Sequence, residues 1–363
     1  MNFSTKVSVV IPHFNRAELL HETLASLQAQ DFDHWEAVVV DDGSRDDQWE
    51  LACHFNDERV RFLRRNDGIK GPSRCRNLGV KVSRGQYIVF VDSDDFVAPW
   101  SLGKRVAWMD DHSRGSFAVF PVMLFLNEPG DQNALWNSMD HGEDLDRFVA
   151  SDPPWHTSSP IWRREAIIEL GGFNENVMYG DDTDLHIRAL LAGLSYQKVT
   201  TERPDVFIRR SDDARITNTI SSQLLQSRLI RLREGSKTIL THDNWDQQQC
   251  WEGQYVVEAE FLMFNCPGSG EHQAIVLREW RERHKPSLLH RIIIKTYFGI
   301  ANRCKQHCYI GLRIARRIAM RLLPVSYFPQ ASDFESACLT TERYEQVVSQ
   351  LDQATCHTKS TTK

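Results

Sequence analysis

Four short apolar runs, rich in β-branched residues, recur in the first hundred positions. Each stops at a cluster of polar residues. They are Val7-Ser8-Val9-Val10-Ile11, Trp35-Glu36-Ala37-Val38-Val39-Val40, Val60-Arg61-Phe62-Leu63 and Tyr87-Ile88-Val89-Phe90-Val91. Such short, nearly continuous runs suit strands buried on both faces of a parallel sheet. Between them lie segments with helical spacing: 15–30, with Leu19, Leu20, Leu24 and Leu27, then 47–55 and 73–82. Alternating strands and helices predict an α/β fold, with a mainly parallel central sheet and helices on both faces.

In an open α/β sheet, ligands bind in the crevice at the carboxyl ends of the strands. Here those ends carry residues 13–16, 41–44, 66–71 and 92–95. Asp92-Ser93-Asp94-Asp95 crowds carboxylates that repel one another unless a cation compensates. Mg2+ is commonly held by one or two carboxylates plus substrate phosphates. Asp and Ser also favour caps and turns, so a metal site and a plain turn both remain open for this cluster. Asp41-Asp42-Gly43-Ser44 has the same two readings, a turn or an acceptor for a base or ribose. The stretch 66–77 (NDGIKGPSRCRN) joins Gly68 and Gly71 to Lys70, Arg74 and Arg76 ahead of a helix, where a phosphate would be favoured. A simple loop-to-helix junction is the alternative there. A third cluster, Gly180-Asp181-Asp182-Thr183-Asp184, leads into a helix. One of its aspartates could cap that helix, and another could be a general base.

Taken in order, VSVVIPHFNR, VVVDDGS, NDGIKGPSRCRNLGV, GQYIVFVDSDD and LGGFNENVMYGDDTDL resemble the family 2 glycosyltransferases, an inverting group with the GT-A fold. The resemblance covers roughly residues 5–210. It implies hexosyl transfer from a nucleoside-diphosphate sugar, with uridine as the base, using Mg2+ or Mn2+. It places Pro12, Phe14, Asn15 and Asp42 around the nucleotide, and Arg76 and Asn77 near the ribose and diphosphate. Asp94 matches the metal ligand of the family's DxD motif, and Asp92 its partner. Asp182 matches the catalytic base and Asp181 its support. The family usually has Glu-Asp where this chain has Asp181-Asp182. Direct displacement with no covalent intermediate follows. The implied acceptor is a glycan or lipid-linked glycan, as in polysaccharide biosynthesis. Trp155 and His156 are expected on the acceptor side, although Trp155 and Trp162 could equally be core residues. A non-catalytic nucleotide-sugar-binding or scaffold protein of the same fold is the alternative. A dehydrogenase is disfavoured, because Pro12-His13-Phe14-Asn15 stands where a glycine fingerprint would be.

These motifs set a first domain over 1–215, a helical extension over 216–275, a basic amphipathic segment over 276–330 and a tail over 331–363 with a flexible end. Residues 276–323 carry twelve Lys or Arg against two Glu, a net +10, which leaves −16 for the rest of a chain of formal charge −6. An apolar stripe of Ile293, Tyr297, Ile300, Cys304, Cys308, Leu312, Ala315, Ala319 and Leu322 runs through 288–323 as one helical face. That combination suits peripheral contact with an anionic membrane, docking on the body, or a protein partner. The acidic balance argues against nucleic acid as a partner. No signal peptide or spanning segment is expected. Eight scattered cysteines fit a reducing compartment. The expected place is cytoplasmic, at the inner face of a membrane if peripheral.

Overall fold

A computed structural model describes residues 5–210, 222–242, 244–266, 269–304, 309–323 and 339–360. The first half alternates β1 (Val7–His13), α1 (Ala17–Gln28), β2 (Trp35–Asp41), α2 (Asp46–Cys53), β3 (Val60–Arg64), α3 (Pro72–Val82) and β4 (Tyr87–Phe90). Then follow β5 (Phe96–Val97), α4 (Ser101–Asp111), β6 (Phe117–Val119), β7 (Met123–Phe125), α5 (Asp144–Val149), β8 (Pro160–Arg163), α6 (Arg164–Glu169), α7 (Asp181–Leu191), β9 (Tyr196–Lys198) and β10 (Val206–Arg209). The rest is helical: α8 (Ser222–Leu240), α9 (Trp245–Asn265), α10 (Gly270–His284), α11 (Leu288–Cys304), α12 (Tyr309–Leu322) and α13 (Thr341–Ser360).

The main sheet has the order β3-β2-β1-β4-β8-β6-β9. It is parallel except where β8 runs against β4 and β6. After β1 the chain steps outward to β2 and β3, then returns to β4 on the other side of β1. That reversal opens a crevice at the carboxyl ends of β1 and β4, where α/β sheets bind ligands. Helix α3 lies close over β1 because Gly79 has no side chain; a Cβ there would come within 2.3 Å of Val10 Cγ1. A small sheet, β5-β10-β7, flanks the crevice. The fully buried Arg105–Asp205 pair (2.6 Å) joins α4 to the start of β10, and Arg105 also donates to the Ser158 carbonyl (2.9 Å). The expected GT-A architecture, a mainly parallel sheet with helices on both faces and a helical C-terminal part, is present.

One face of the sheet packs on α1 and α4. The other contributes Val10, Phe90 and Trp162 to a single core that runs through Leu185 into Leu232, Trp251, Tyr255, Trp280 and Tyr297. The described helices beyond 222 therefore close over the sheet-bearing half without a break in packing. The sequence boundaries at 216 and 276 do not part this core. The single basic stripe is corrected to two helices. Ile294, Tyr297, Phe298 and Ala301 of α11 enter the core, while Leu288, Leu289, Ile292 and Ile300 stay exposed. Ala319 is buried, and Ile318 and Leu322 are exposed. Cys308 and the side chains of Cys304, Leu312 and Ala315 lie outside the described residues. The tail is not loose at its start. Leu339, Val347 and Leu351 pack on Met123, Phe125 and Phe207 of the small sheet and on Trp100 at the start of α4. Leu339 and Asn133 also exchange two hydrogen bonds of 2.9 Å. The part expected to fray is helical through Ser360, and 361–363 lie outside the described residues.

Candidate active site

The loop after β1 begins at the end of the strand, where Pro12 is half-buried and His13 buried. Phe14 is 45% exposed and Asn15 has φ 51°. The Asn15 N–H donates to the Ser44 hydroxyl (2.8 Å), and its side-chain oxygen accepts the Arg45 N–H (2.9 Å). The Lys70 ammonium lies 4.4 Å from the Phe14 ring centroid. These bonds bind the β1 loop to the β2 loop. Asp41 shapes the latter by accepting the N–H groups of Gly43 (3.1 Å) and Ser44 (2.9 Å). Asp42 accepts the Gly71 N–H (2.8 Å) and pairs with Arg65. Burial raises the Asp42 carboxyl above its ordinary value, against the pull of Gly71, Arg65 and Lys70.

Arg76 is the hub of the crevice. From the buried face of α3 it donates to Asp92 (2.8 Å) at the end of β4 and to Asp181 (2.7 Å) at the start of α7. A guanidinium with two carboxylate partners stays charged, and the two aspartates push its pKa up against burial. Sequence reasoning placed Arg76 near a diphosphate; the structure makes it a bridge between two acidic clusters. Its neighbour Asn77 differs from expectation. The Asn77 amide accepts the Phe173 N–H (2.8 Å) and donates to the Phe173 carbonyl (2.9 Å) and to Glu175 (3.1 Å). It clips the loop ahead of α7, rather than reaching toward a donor.

At the β4 end, burial opposes ionisation of Asp92, but Arg76, His156 and Arg16 hold its carboxyl below the usual range. Asp94 pairs with Arg16 (2.8 Å), and its carbonyl accepts from Arg209 (3.0 Å). The buried Asp95 accepts the Arg209 N–H (3.2 Å), and its carbonyl accepts from Thr23 (2.7 Å). Asp95 is thus a turn and packing residue. Among the described residues, no three His, Cys, Asp or Glu gather as a cage. Asp94 with Asp92 beside it nevertheless fits a cation shared with a diphosphate. The Arg16 guanidinium already reaches the Asp94 carboxylate. Arg16 was not singled out from the sequence, because a loop arginine carries no pattern of its own.

At the start of α7, Asp181 is buried and receives Arg76 and the Ser73 hydroxyl (3.0 Å). Burial pushes its carboxyl up to about 6, with Asp182 adding repulsion and Arg76 opposing. Asp182 is half-buried and accepts the Thr183 N–H (2.8 Å). It too is raised by burial, against Arg76. Of the two, Asp181 is pinned and Asp182 is the more open to a second molecule.

The acceptor-side residues divide. Trp155 is 1% exposed and packs edge-on against Phe148 (4.8 Å) and His186 (5.6 Å). Its expected acceptor role is corrected to a core role. His156 lies near Asp92 electrostatically, and its Nδ1 accepts the Ser158 N–H (3.2 Å).

Residues 8–171 match the model described as Glycosyl transferase family 2. A stretch of 209 residues is 37% identical to an uncharacterized glycosyltransferase, YibD, of Escherichia coli (strain K12), covering 56% of this chain and 57% of that one. The poly(ribitol-phosphate) β-N-acetylglucosaminyltransferase TarS of Staphylococcus aureus (strain Mu50 / ATCC 700699) is 36% identical over 112 residues, 30% of this chain and 19% of its own. The Escherichia coli UDP-Glc:α-D-GlcNAc-diphosphoundecaprenol β-1,3-glucosyltransferase WfaP is 30% identical over 104 residues, 29% of this chain and 41% of its own. These curated relatives are matched over 19% to 57% of their own length. Among solved structures, S. aureus TarS 1-349 in complex with UDP-GlcNAc aligns with a TM-score of 0.63 at 17% identity, over 87% of this chain and 92% of that one.

Proposed function

We propose, from a chain whose residues 8–171 match the glycosyl transferase family 2 model, that the protein transfers a sugar from a UDP-sugar to a hydroxyl of a glycan or lipid-linked glycan, with inversion. The observation that carries this reading is Arg76. It ties the β4 carboxylates to the α7 carboxylates across one crevice, so a metal-and-diphosphate end and a proton-accepting end face each other.

The nucleotide lies over the β1 and β2 loops, against Pro12, Phe14 and Asn15, with Asp42 toward the base. Asp94 and Asp92 would hold Mg2+ or Mn2+, which supplies positive charge for the departing diphosphate. Asp182, with its raised proton affinity, takes the acceptor's hydroxyl proton as that oxygen attacks the anomeric carbon. The bond from that carbon to the diphosphate breaks, and its electron pair leaves with UDP. Arg76 keeps Asp92 ionised, and by pairing with Asp181 it occupies that carboxylate and leaves the proton-transfer role to Asp182. A donor screen tests the reading: UDP-sugars, GDP-sugars and TDP-sugars are compared for nucleoside diphosphate release with Mg2+, Mn2+ or EDTA. Release from a UDP-sugar that needs metal and is lost in Asp182→Asn is the expected result. No release from any donor would remove the transferase reading.

A lipid-linked acceptor would give the exposed face of α11 a purpose. Leu288 is 72% exposed and Leu289 62%, with Arg291 and Lys295 exposed on the same helix. No helix among the described residues is long and apolar enough to cross a membrane. Apolar residues among cations instead suit the surface of an anionic bilayer, where each basic residue adds about 1 kcal/mol. Because α13 docks back on the small sheet, truncation would disturb the catalytic half. The combined L288S, L289S and I292S substitutions are the better probe. They should abolish salt-sensitive co-sedimentation with phosphatidylglycerol vesicles and leave UDP release unchanged. Equal sedimentation would leave docking of another protein on this face.

A further inference from the structure

The loop that delivers Asp181 and Asp182 is held by the C-terminal extension. Its first anchor lies within the catalytic half, where the Val177 carbonyl accepts from Ser73 (2.8 Å). The next three residues each meet α8. The Met178 N–H donates to the Ser227 hydroxyl (2.6 Å). The Arg228 guanidinium lies 4.3 Å from the Tyr179 ring centroid. Gly180, at φ 71°, passes so close to Arg231 that a Cβ would stand 2.9 Å from its Cδ. Positions 227, 228 and 231 share one helical face.

That face is itself fixed from behind. Arg228 pairs with Glu258 (2.6 Å) and lies 3.8 Å from the Phe261 ring centroid, both on α9. Arg231 lies over Trp251, also on α9, at 5.6 Å. Helix α7 has no side-chain cap at its start, since Gly180 precedes it in the left-handed region. The direction in which the first turn of α7 leaves the loop is therefore set by what holds 178–180. Asp182 stands in that turn.

We propose that α8 is a latch on the base: Ser227, Arg228 and Arg231 position residues 178–180, and through them Asp182. They are positioning residues that touch neither donor nor acceptor. This rests on the assignment of Asp182 made above. It also gives the extension, which the family match does not reach, a part in the reaction.

The mildest probe is Ser227→Ala, which deletes one hydroxyl. Arg228→Met is a stronger variant, but it also leaves Glu258 unpaired. With the donor found in the screen, Ser227→Ala should lower kcat about tenfold and Arg228→Met up to about 100-fold, as expected for a base displaced by a fraction of an ångström. UDP affinity by calorimetry and donor KM should hold within about twofold, because the nucleotide end is anchored elsewhere. Amide exchange should accelerate across 177–184 and stay unchanged across β1, β2 and β4. In an Asp182→Asn background, Ser227→Ala should cost nothing further. Normal exchange and normal turnover in Ser227→Ala would overturn the latch whatever Asp182→Asn does. So would a loss accompanied by faster exchange throughout the main sheet, which marks general destabilisation. An active Asp182→Asn enzyme would instead remove the base assignment. If no donor is turned over, the transfer reading fails, and exchange over 177–184 still decides whether α8 holds the loop.

Discussion

The two acidic clusters of the crevice have similar composition and opposite electrostatics. At the end of β4 three arginines converge: Arg16 on the Asp94 carboxylate, Arg76 on Asp92, and Arg209, whose guanidinium donates to the Asp94 carbonyl and whose backbone N–H donates to the Asp95 carboxylate. Asp92 is held below the ordinary carboxylate range. At the start of α7, Arg76 alone faces two adjacent carboxylates, Asp181 buried and Asp182 half-buried, and both are raised. Acidic residues therefore do not define a role by themselves. The ratio of cations to carboxylates, and the depth of each, separates a cluster that stays ionised from one that can take a proton.

The largest expected effect comes from replacing one carboxylate in each cluster. Asp182→Asn keeps shape and removes the proton acceptor, so turnover should fall by about 10²–10⁴-fold with UDP affinity nearly intact. Asp94→Ala should lose Mn2+ binding in the presence of UDP, read by electron paramagnetic resonance, and lose donor affinity with it. If both variants lose donor affinity equally, the clusters share one role and the contrast fails. A dead Asp181→Asn beside an active Asp182→Asn would reverse the assignment within the pair.

The next effect is on pH dependence. With Asp181 near 6 and Asp182 raised, kcat/KM should fall below about pH 6 as the pair takes a proton. Arg76 lowers both, so Arg76→Met should move this acid limb to higher pH by about one unit. The sign follows from removing a cation beside an anion. A limb that stays in place would mean that Arg76 does not set the proton affinity of the base.

The alternation of strands and helices was legible because burial on both faces of a parallel sheet leaves continuous apolar runs. The crevice followed from topology. What the sequence did not disclose are contacts between residues far apart in the chain. Asn77 lies in a stretch that reads as phosphate-binding, yet its amide closes on Phe173, 96 positions away. Trp155 neighbours hydroxyl residues that suit a sugar, yet it faces Phe148 and His186. Arg16 and Ser227 belong to no periodic pattern, and only tertiary structure brings them to Asp94 and Met178. The basic stripe divides between core and surface for a related reason. Charge and periodicity locate an amphipathic segment, but they do not say which of two apolar edges meets the core.

The smallest effect is on stability, and it separates the clusters by sign. A carboxylate whose folded pKa is raised favours the native state only while protonated. As pH rises above the ordinary value of about 3.9, the unfolded chain releases its proton more easily, so stability falls through that window and stays lower at neutral pH. Asp182 is such a group. Asp182→Asn should therefore be more stable than wild type at pH 7.5, by about 1 kcal/mol, or a Tm gain of about 1–3 °C for a chain this long. Asp92 is lowered, so its contribution has the opposite sign: present at neutral pH and lost as pH falls. Asp92→Asn also leaves Arg76 with one carboxylate instead of two, and should lower Tm at pH 7.5. Both differences should shrink at pH 4, where the ordinary carboxylate is half protonated. Scanning calorimetry of the two variants and wild type at both pH values measures this. Equal destabilisation by both substitutions at pH 7.5 would show that Asp182, like Asp92, is a structural ion-pair partner, and would leave the α7 cluster without the raised proton affinity that a base requires.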